Sequence, residues 1–215
     1  MDLAARQANR LTRGAVDRFI NSDRFNTVSS GQVVSLEWPL GMAADALDIL
    51  VLKRRISRLD ARKAGAVLAR VRGESALLLM AGNTNRAAEI AMGLALRGYT
   101  FNVHKTNVHK TPPPDPAEPQ AITIHHTRAE EMAKACEPLM AIADGVHMTR
   151  DLVSEPANVL TTTEFANRLQ EMTALGLAVE ILEEEQLTEL GMRTLLAVGR
   201  GSDSPSKVVV MQWNG

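Results

Sequence analysis

The stretch Arg150-Asp151-Leu152-Val153-Ser154-Glu155-Pro156-Ala157-Asn158-Val159-Leu160-Thr161, continued by Thr162-Thr163-Glu164-Phe165-Ala166, divides the chain. Pro156 cannot extend a helix, because its ring removes an amide donor and restricts the residue before it. Thr161 followed by Glu164 has the spacing of a capping box, in which a threonine hydroxyl and a glutamate satisfy each other's free amides. The segment therefore predicts the end of one helix, a sharp turn and the capped start of another.

Upstream, residues 127–153 carry Ala133, Cys136, Met140, Ala143, Val146 (or His147) and Arg150 at steps of three to four, which predicts one long helix. Pro138 should kink it or set a boundary. This helix reads as a connector between two units. Downstream, a helix over 163–174 should stop at Gly176, and residues 177–182 read as a strand. Glu183-Glu184-Glu185 suits the positive N-terminal end of the next helix, so the triplet needs no metal to explain it. Leu195-Leu196-Ala197-Val198 reads as a strand or extended segment, residues 199–205 as a turn, and Val208 to Trp213 as a strand. These are the first elements of a second α/β sheet.

In the first unit, residues 3–20 predict one amphipathic helix, with Leu3, Ala4, Leu11, Ala15, Phe19 and Ile20 near helical spacing. Strands are expected over 32–38, 47–52, 75–81 and 121–125. Ser57 should cap a helix to Arg72 whose apolar side carries Leu59, Ala66, Val67 and Ala69. Thr84 should cap another to Arg97, with Gly98 as its stop. Strand, helix, strand, helix predicts an α/β layer with a mainly parallel sheet.

Residues 102–111 repeat Asn-Val-His-Lys-Thr twice, and the run from Pro112 to Pro119 cannot be helical. An extended surface loop with a local duplication is the expectation. His104 and His109, five apart, do not share a face of a helix or a strand, and the adjacent His125 and His126 point to opposite sides of theirs.

The chain has 215 residues, 45% apolar and only 3% aromatic, so its core must be built from Ala, Leu, Val, Ile and Met. A net charge of −1 argues against a dedicated nucleic-acid binder. Residues 1–75 carry 13 basic and 8 acidic side chains, and Lys53-Arg54-Arg55 with Arg58 is the one basic cluster to record. A single cysteine, Cys136, excludes a disulfide within the chain and reads as an inert buried thiol. With no apolar run near 18 residues and no signal-peptide pattern over 1–13, cytoplasmic residence and no membrane contact are expected.

No His-Glu-x-x-His or Gly-x-Ser-x-Gly pattern occurs. Gly199-Arg200-Gly201-Ser202 lacks the lysine of a phosphate-binding loop and precedes a strand. From the residues alone, the catalytic, metal and substrate-binding sets are all empty.

A resemblance carries the reading further. Arg150 to Thr161 is similar to the Arg-Asp-Leu-Val-Asn-Glu-Pro-Ala-Asn-x-Leu-Thr-Pro signature of the leucyl aminopeptidase (cytosol aminopeptidase) family, with Ser154 where Asn is usual and Thr162 where Pro is usual. Glu189-Leu190-Gly191-Met192, then Leu195 to Ser202, resembles its Leu-Gly-Met-x-x-Leu-Leu-Ala-Val-Gly-x-Gly-Ser segment. Val208 to Gly215 resembles the strand before the metal site. Residues 42–126 are similar, more weakly, to the family's N-terminal domain, and the start looks shorter than usual by a leading strand. The resemblance implies a macro-like three-layer α/β domain over 1–126, a connecting helix over 127–153, and the incomplete opening of a metallopeptidase catalytic domain over 154–215. It also implies release of N-terminal amino acids from peptides by a homohexamer with two divalent ions, manganese or zinc, that activate water. The family's ligand segments, Gly-Lys-Gly…Phe-Asp-x-Gly-Gly and Asn-Thr-Asp-Ala-Glu-Gly-Arg, have no counterpart in the chain. Asn83 to Glu89 faintly resembles the second, but Asn85 stands in place of the required Asp and Arg86 intrudes. No role passes to that stretch or to Lys207. The chain alone is expected to bind no catalytic metal and to be inactive. The alternative is a non-catalytic assembly or binding module using Lys53, Arg54, Arg55 and Arg58, with nucleic acid disfavoured by the net charge.

Overall fold

A computed structural model describes residues 1–104 and 121–214. The chain forms two compact units, Met1–His147 and Met148–Gly215. Both mix helices with short strand pairs.

The first unit opens with α1 (Leu3–Leu11) and α2 (Ala15–Ile20). The single helix expected over 3–20 is broken in two. Arg13 (φ 49°) and Gly14 (φ 85°) both take left-handed backbone, which glycine tolerates at little cost. Asn9 then bridges the break. Its amide donates to the Asp17 carboxylate at 2.7 Å and its oxygen accepts from Asp17 N at 2.9 Å. After a short α3 (Asp23–Asn26), β1 (Val33–Glu37) pairs antiparallel with β2 (Ala46–Leu50), Val33 opposite Leu50. The short link between them permits only an antiparallel return. Parallel pairing, the sequence expectation, is found where a helix intervenes: β3 (Leu77–Gly82) runs parallel to β4 (Ile122–His126).

Helices α4 (Arg58–Arg72) and α5 (Ala87–Gly98) carry the core. Ala61, Leu68, Ile90 and Leu94 are buried, and Val33, Leu50, Leu77 and Leu79 of the strands pack against them. Ser57 caps α4 as expected, its Oγ accepting from Asp60 N at 3.1 Å. The buried face differs from the expected one. It consists of Ala61, Ala64, Gly65 and Leu68, while Leu59 is 61% exposed. The cause is close helix contact. A Cβ on Gly65 would stand 2.0 Å from the Ile90 carbonyl oxygen, and one on Gly93 would stand 2.0 Å from that of Arg62. Helix α5 begins at Ala87, later than expected, and Thr84 contributes its carbonyl to Ala87 N at 3.1 Å rather than a side-chain cap.

Helix α6 (Ala129–Ser154) runs unbroken through Pro138 and buries only Ala143. A proline removes one backbone hydrogen bond, and an exposed helix face leaves the freed carbonyl to water. The boundary between the units falls within α6. The proline run, the second copy of the pentapeptide and His109 lie outside the described residues.

The second unit follows with α7 (Thr162–Gln170), a 3-10 turn (Glu171–Leu175) and Gly176 at φ 92°, the stop expected from sequence. Then come β5 (Ala178–Leu182), α8 (Glu184–Glu189), α9 (Arg193–Gly199) and β6 (Val208–Gln212). Strand β6 returns antiparallel to β5, pairing Leu182 with Val208. Residues 195–198, expected as a strand, are helical. Gly191 at φ 70° ends α8, and Leu196 N then reaches back to Met192 O at 3.2 Å. Four apolar residues fit either periodicity, and the turn before them decides.

Candidate functional site

The dividing segment forms the turn predicted for it. The Pro156 carbonyl accepts from both Val159 N and Leu160 N at 2.9 Å, and Thr161 Oγ1 accepts from Glu164 N at 3.2 Å. The Glu164 carboxylate turns along α7 instead of completing the capping box, and accepts from Arg168 Nε at 2.8 Å. The same guanidinium donates through Nη1 to Glu155 Oε1 at 3.3 Å. The Glu155 side chain is only 6% exposed, so this contact neutralises a carboxylate removed from water. The Glu164 bond, with that to Glu155, raises Arg168 above its ordinary value against the opposing effect of burial. Arg168 thus ties the last residues of α6's turn to α7. Sequence reading missed it, although Glu164 and Arg168 stand in the i, i+4 relation that favours pairing on a helix. Both carboxylates are held as ion pairs, so this cluster braces the segment and offers no free acid or base.

A second brace joins β6 to α8. Lys207 Nζ donates to both Glu183 oxygens at 2.6 Å, and Ser206 N donates to Glu184 Oε1 at 2.8 Å. Two members of the acidic triplet are thereby explained by packing within this unit. In the first unit, Glu89 lies buried between Arg62 Nε at 2.6 Å and Arg58 Nε at 3.6 Å. The last residue of the stretch 83–89 is thus an ion-pair partner joining α4 and α5.

The remaining candidates lie apart. Lys53, Arg54 and Arg55 are exposed beside Ser30, whose hydroxyl accepts from Lys53 N at 3.1 Å. His125 is exposed and His126 buried, on opposite sides of β4 as expected; His126 Nδ1 accepts from Arg128 N at 3.1 Å. His104 stacks obliquely on Phe101 at 5.8 Å. Cys136 is half-buried, and burial raises its thiol above the ordinary value. Among the described residues, no group of three or more His, Cys, Asp or Glu side chains could hold a metal ion. A two-metal centre therefore does not fit the described donor set. No helix among the described residues is long and apolar enough to cross a membrane.

A mixed α/β first unit runs through the long helix α6 into a second α/β unit that contains the proline turn. The catalytic domain of the cytosol aminopeptidase family matches residues 147–215, the second unit almost residue for residue. A probable cytosol aminopeptidase of Cereibacter sphaeroides is 46% identical over all of this chain, and one of Dinoroseobacter shibae is 47% identical over 98% of it. The solved bottromycin maturation enzyme BotP in complex with Mn is 26% identical, with a TM-score of 0.69 over 89% of this chain and 41% of its own. A tomato leucine aminopeptidase mutant shares the fold, with a TM-score of 0.74 over 95% of this chain and 42% of its own at 19% identity. The chain belongs to the cytosol aminopeptidase family. It spans 42% of the length of both of these curated relatives.

Proposed function

We propose that this chain is the N-terminal portion of a two-metal leucyl aminopeptidase that releases N-terminal amino acids from peptides in the cytoplasm, assembled as a homohexamer. Residues 1–126 would form its N-terminal domain, 127–153 a connecting helix, and 154–215 the opening of the catalytic domain. The observation that carries the reading is the proline turn with its Thr161 cap and shared Arg168, lying at the start of the region that matches the family's catalytic domain. In the complete enzyme two manganese or zinc ions would supply an activated water and polarise the peptide carbonyl. The residues of this chain would brace the scaffold that carries that centre. By itself the chain is inactive and binds no catalytic metal.

Two measurements test this. The purified 215-residue chain, incubated with Mn²⁺ or Zn²⁺ and leucine p-nitroanilide, should release no nitroaniline; metal-dependent release would overturn the inactivity. An antibody raised against the chain should detect, in its source cell, a protein well above 23.4 kDa whose immunoprecipitate cleaves the same substrate. A large protein without that activity would overturn the aminopeptidase reading.

A further inference from the structure

Helices α8 and α9 and the loop 200–205 line an open surface cleft of about 580 Å³ within the second unit. Its polar lining comes from Glu184, Thr188, Arg193, Arg200, Ser202 and Asp203. The internal bonds of the unit already engage much of this set. Glu184 accepts from Ser206 N, the Thr188 hydroxyl donates to Glu184 O at 2.7 Å, and Ser202 Oγ accepts from Ser204 N at 3.1 Å. The two guanidiniums are different. Among the described residues neither Arg193 nor Arg200 has a carboxylate within ion-pair distance, Asp203 included. Every other member of the wall is neutral, engaged or a single carboxylate.

The position of Arg193 adds to this. It is the first residue of α9, where the partial positive charge of the helix end disfavours a cation. Among the described residues no carboxylate is paired with it.

We propose that the α8–α9 cleft binds an oxyanion, a carboxylate or a phosphate group, between Arg193 and Arg200. Guanidinium is the cation best suited to such a ligand, because its planar donor fork matches two oxygens at once.

The test is calorimetric titration of the 215-residue chain with inorganic phosphate and, separately, with N-acetyl-leucine as a plain carboxylate. Saturable binding of either probe, weakened about tenfold or more in R193A and in R200A and abolished in the double variant, is the expected result. R193K should recover part of the affinity through charge alone. Binding of phosphate only, or of the carboxylate only, identifies the source of the oxyanion. Both side chains are exposed, and circular dichroism of each variant would show the fold retained. Absence of saturable binding by both probes, or equal binding by the folded double variant, would overturn the proposal.

Discussion

The backbone carbonyl oxygen of Ile90 on α5 lies 2.0 Å from the point where a Cβ on Gly65 of α4 would stand. Helix propensity alone says that alanine there should stabilise α4, since glycine within a helix costs about 1 kcal/mol relative to alanine. The packing reverses the sign. The neighbouring atom is backbone, so the methyl can be admitted only by moving one helix off the other, and overpacking of this kind costs about 1–3 kcal/mol. Gly65→Ala should therefore lower the urea midpoint, and Gly93→Ala, against Arg62 O, should do the same. An unchanged or raised midpoint would mean that the helices do not meet this closely.

Arg168 serves two carboxylates, one of them almost fully buried. Removing the guanidinium takes an ion-pair partner from the buried Glu155 carboxylate, whereas a lysine keeps charge but cannot span both partners. Urea denaturation should rank the wild type above Arg168→Lys and that above Arg168→Ala. Glu155→Gln in the Arg168→Ala background should recover stability, because the buried group is then neutral. Equal midpoints for all four chains would exclude the brace.

The raised Cys136 thiol gives a pH prediction with a definite sign. The folded chain holds its proton to higher pH than the unfolded chain does. Its contribution is fully present below the unfolded thiol's pKa and is lost as pH rises through the folded value. Between pH 8 and 9 the native thiol should react with iodoacetamide more slowly than the same thiol in urea, because only the thiolate attacks. Equal rates would show that burial does not protect it.

Ser57 and Thr161 each receive one amide of a helix's first turn, from Asp60 and Glu164. Ser57→Ala and Thr161→Ala should each cost about 0.5–2 kcal/mol, read from denaturant midpoints at unchanged slope. A smaller loss in either variant would mean that water replaces that cap.

These two caps were legible in the sequence because capping is local: a hydroxyl, a spacing of three and an adjacent proline or apolar run suffice. The turn at Pro156 and the stop at Gly176 were legible for the same reason. The buried face of α4 was not. Apolarity marks Leu59 and Val67, whereas contact with α5 selects the smallest residues, Ala61, Ala64 and Gly65. The break at Gly14 and the helical state of Leu195–Val198 both depend on left-handed residues just before them, at Arg13, Gly14 and Gly191, and apolar periodicity carries no record of those. Of the site itself, the proline turn could be read from sequence. Arg168's second bond could not, because Glu155 lies 13 residues away and only the folded turn brings it within reach.

The pairing of β5 with β6 has a consequence in time. Among the described residues the strand partner of Leu182 is Val208, so the first strand waits while residues 183–207 are synthesised. At about 5–20 residues per second this is roughly one to five seconds. During that interval Val179 and Ile181 have no β6 alongside them. The helices α8 and α9, which need only local contacts, can form meanwhile and carry Glu183 into position. The arriving Lys207 can then latch onto Glu183 and start the strands zipping from their closed end.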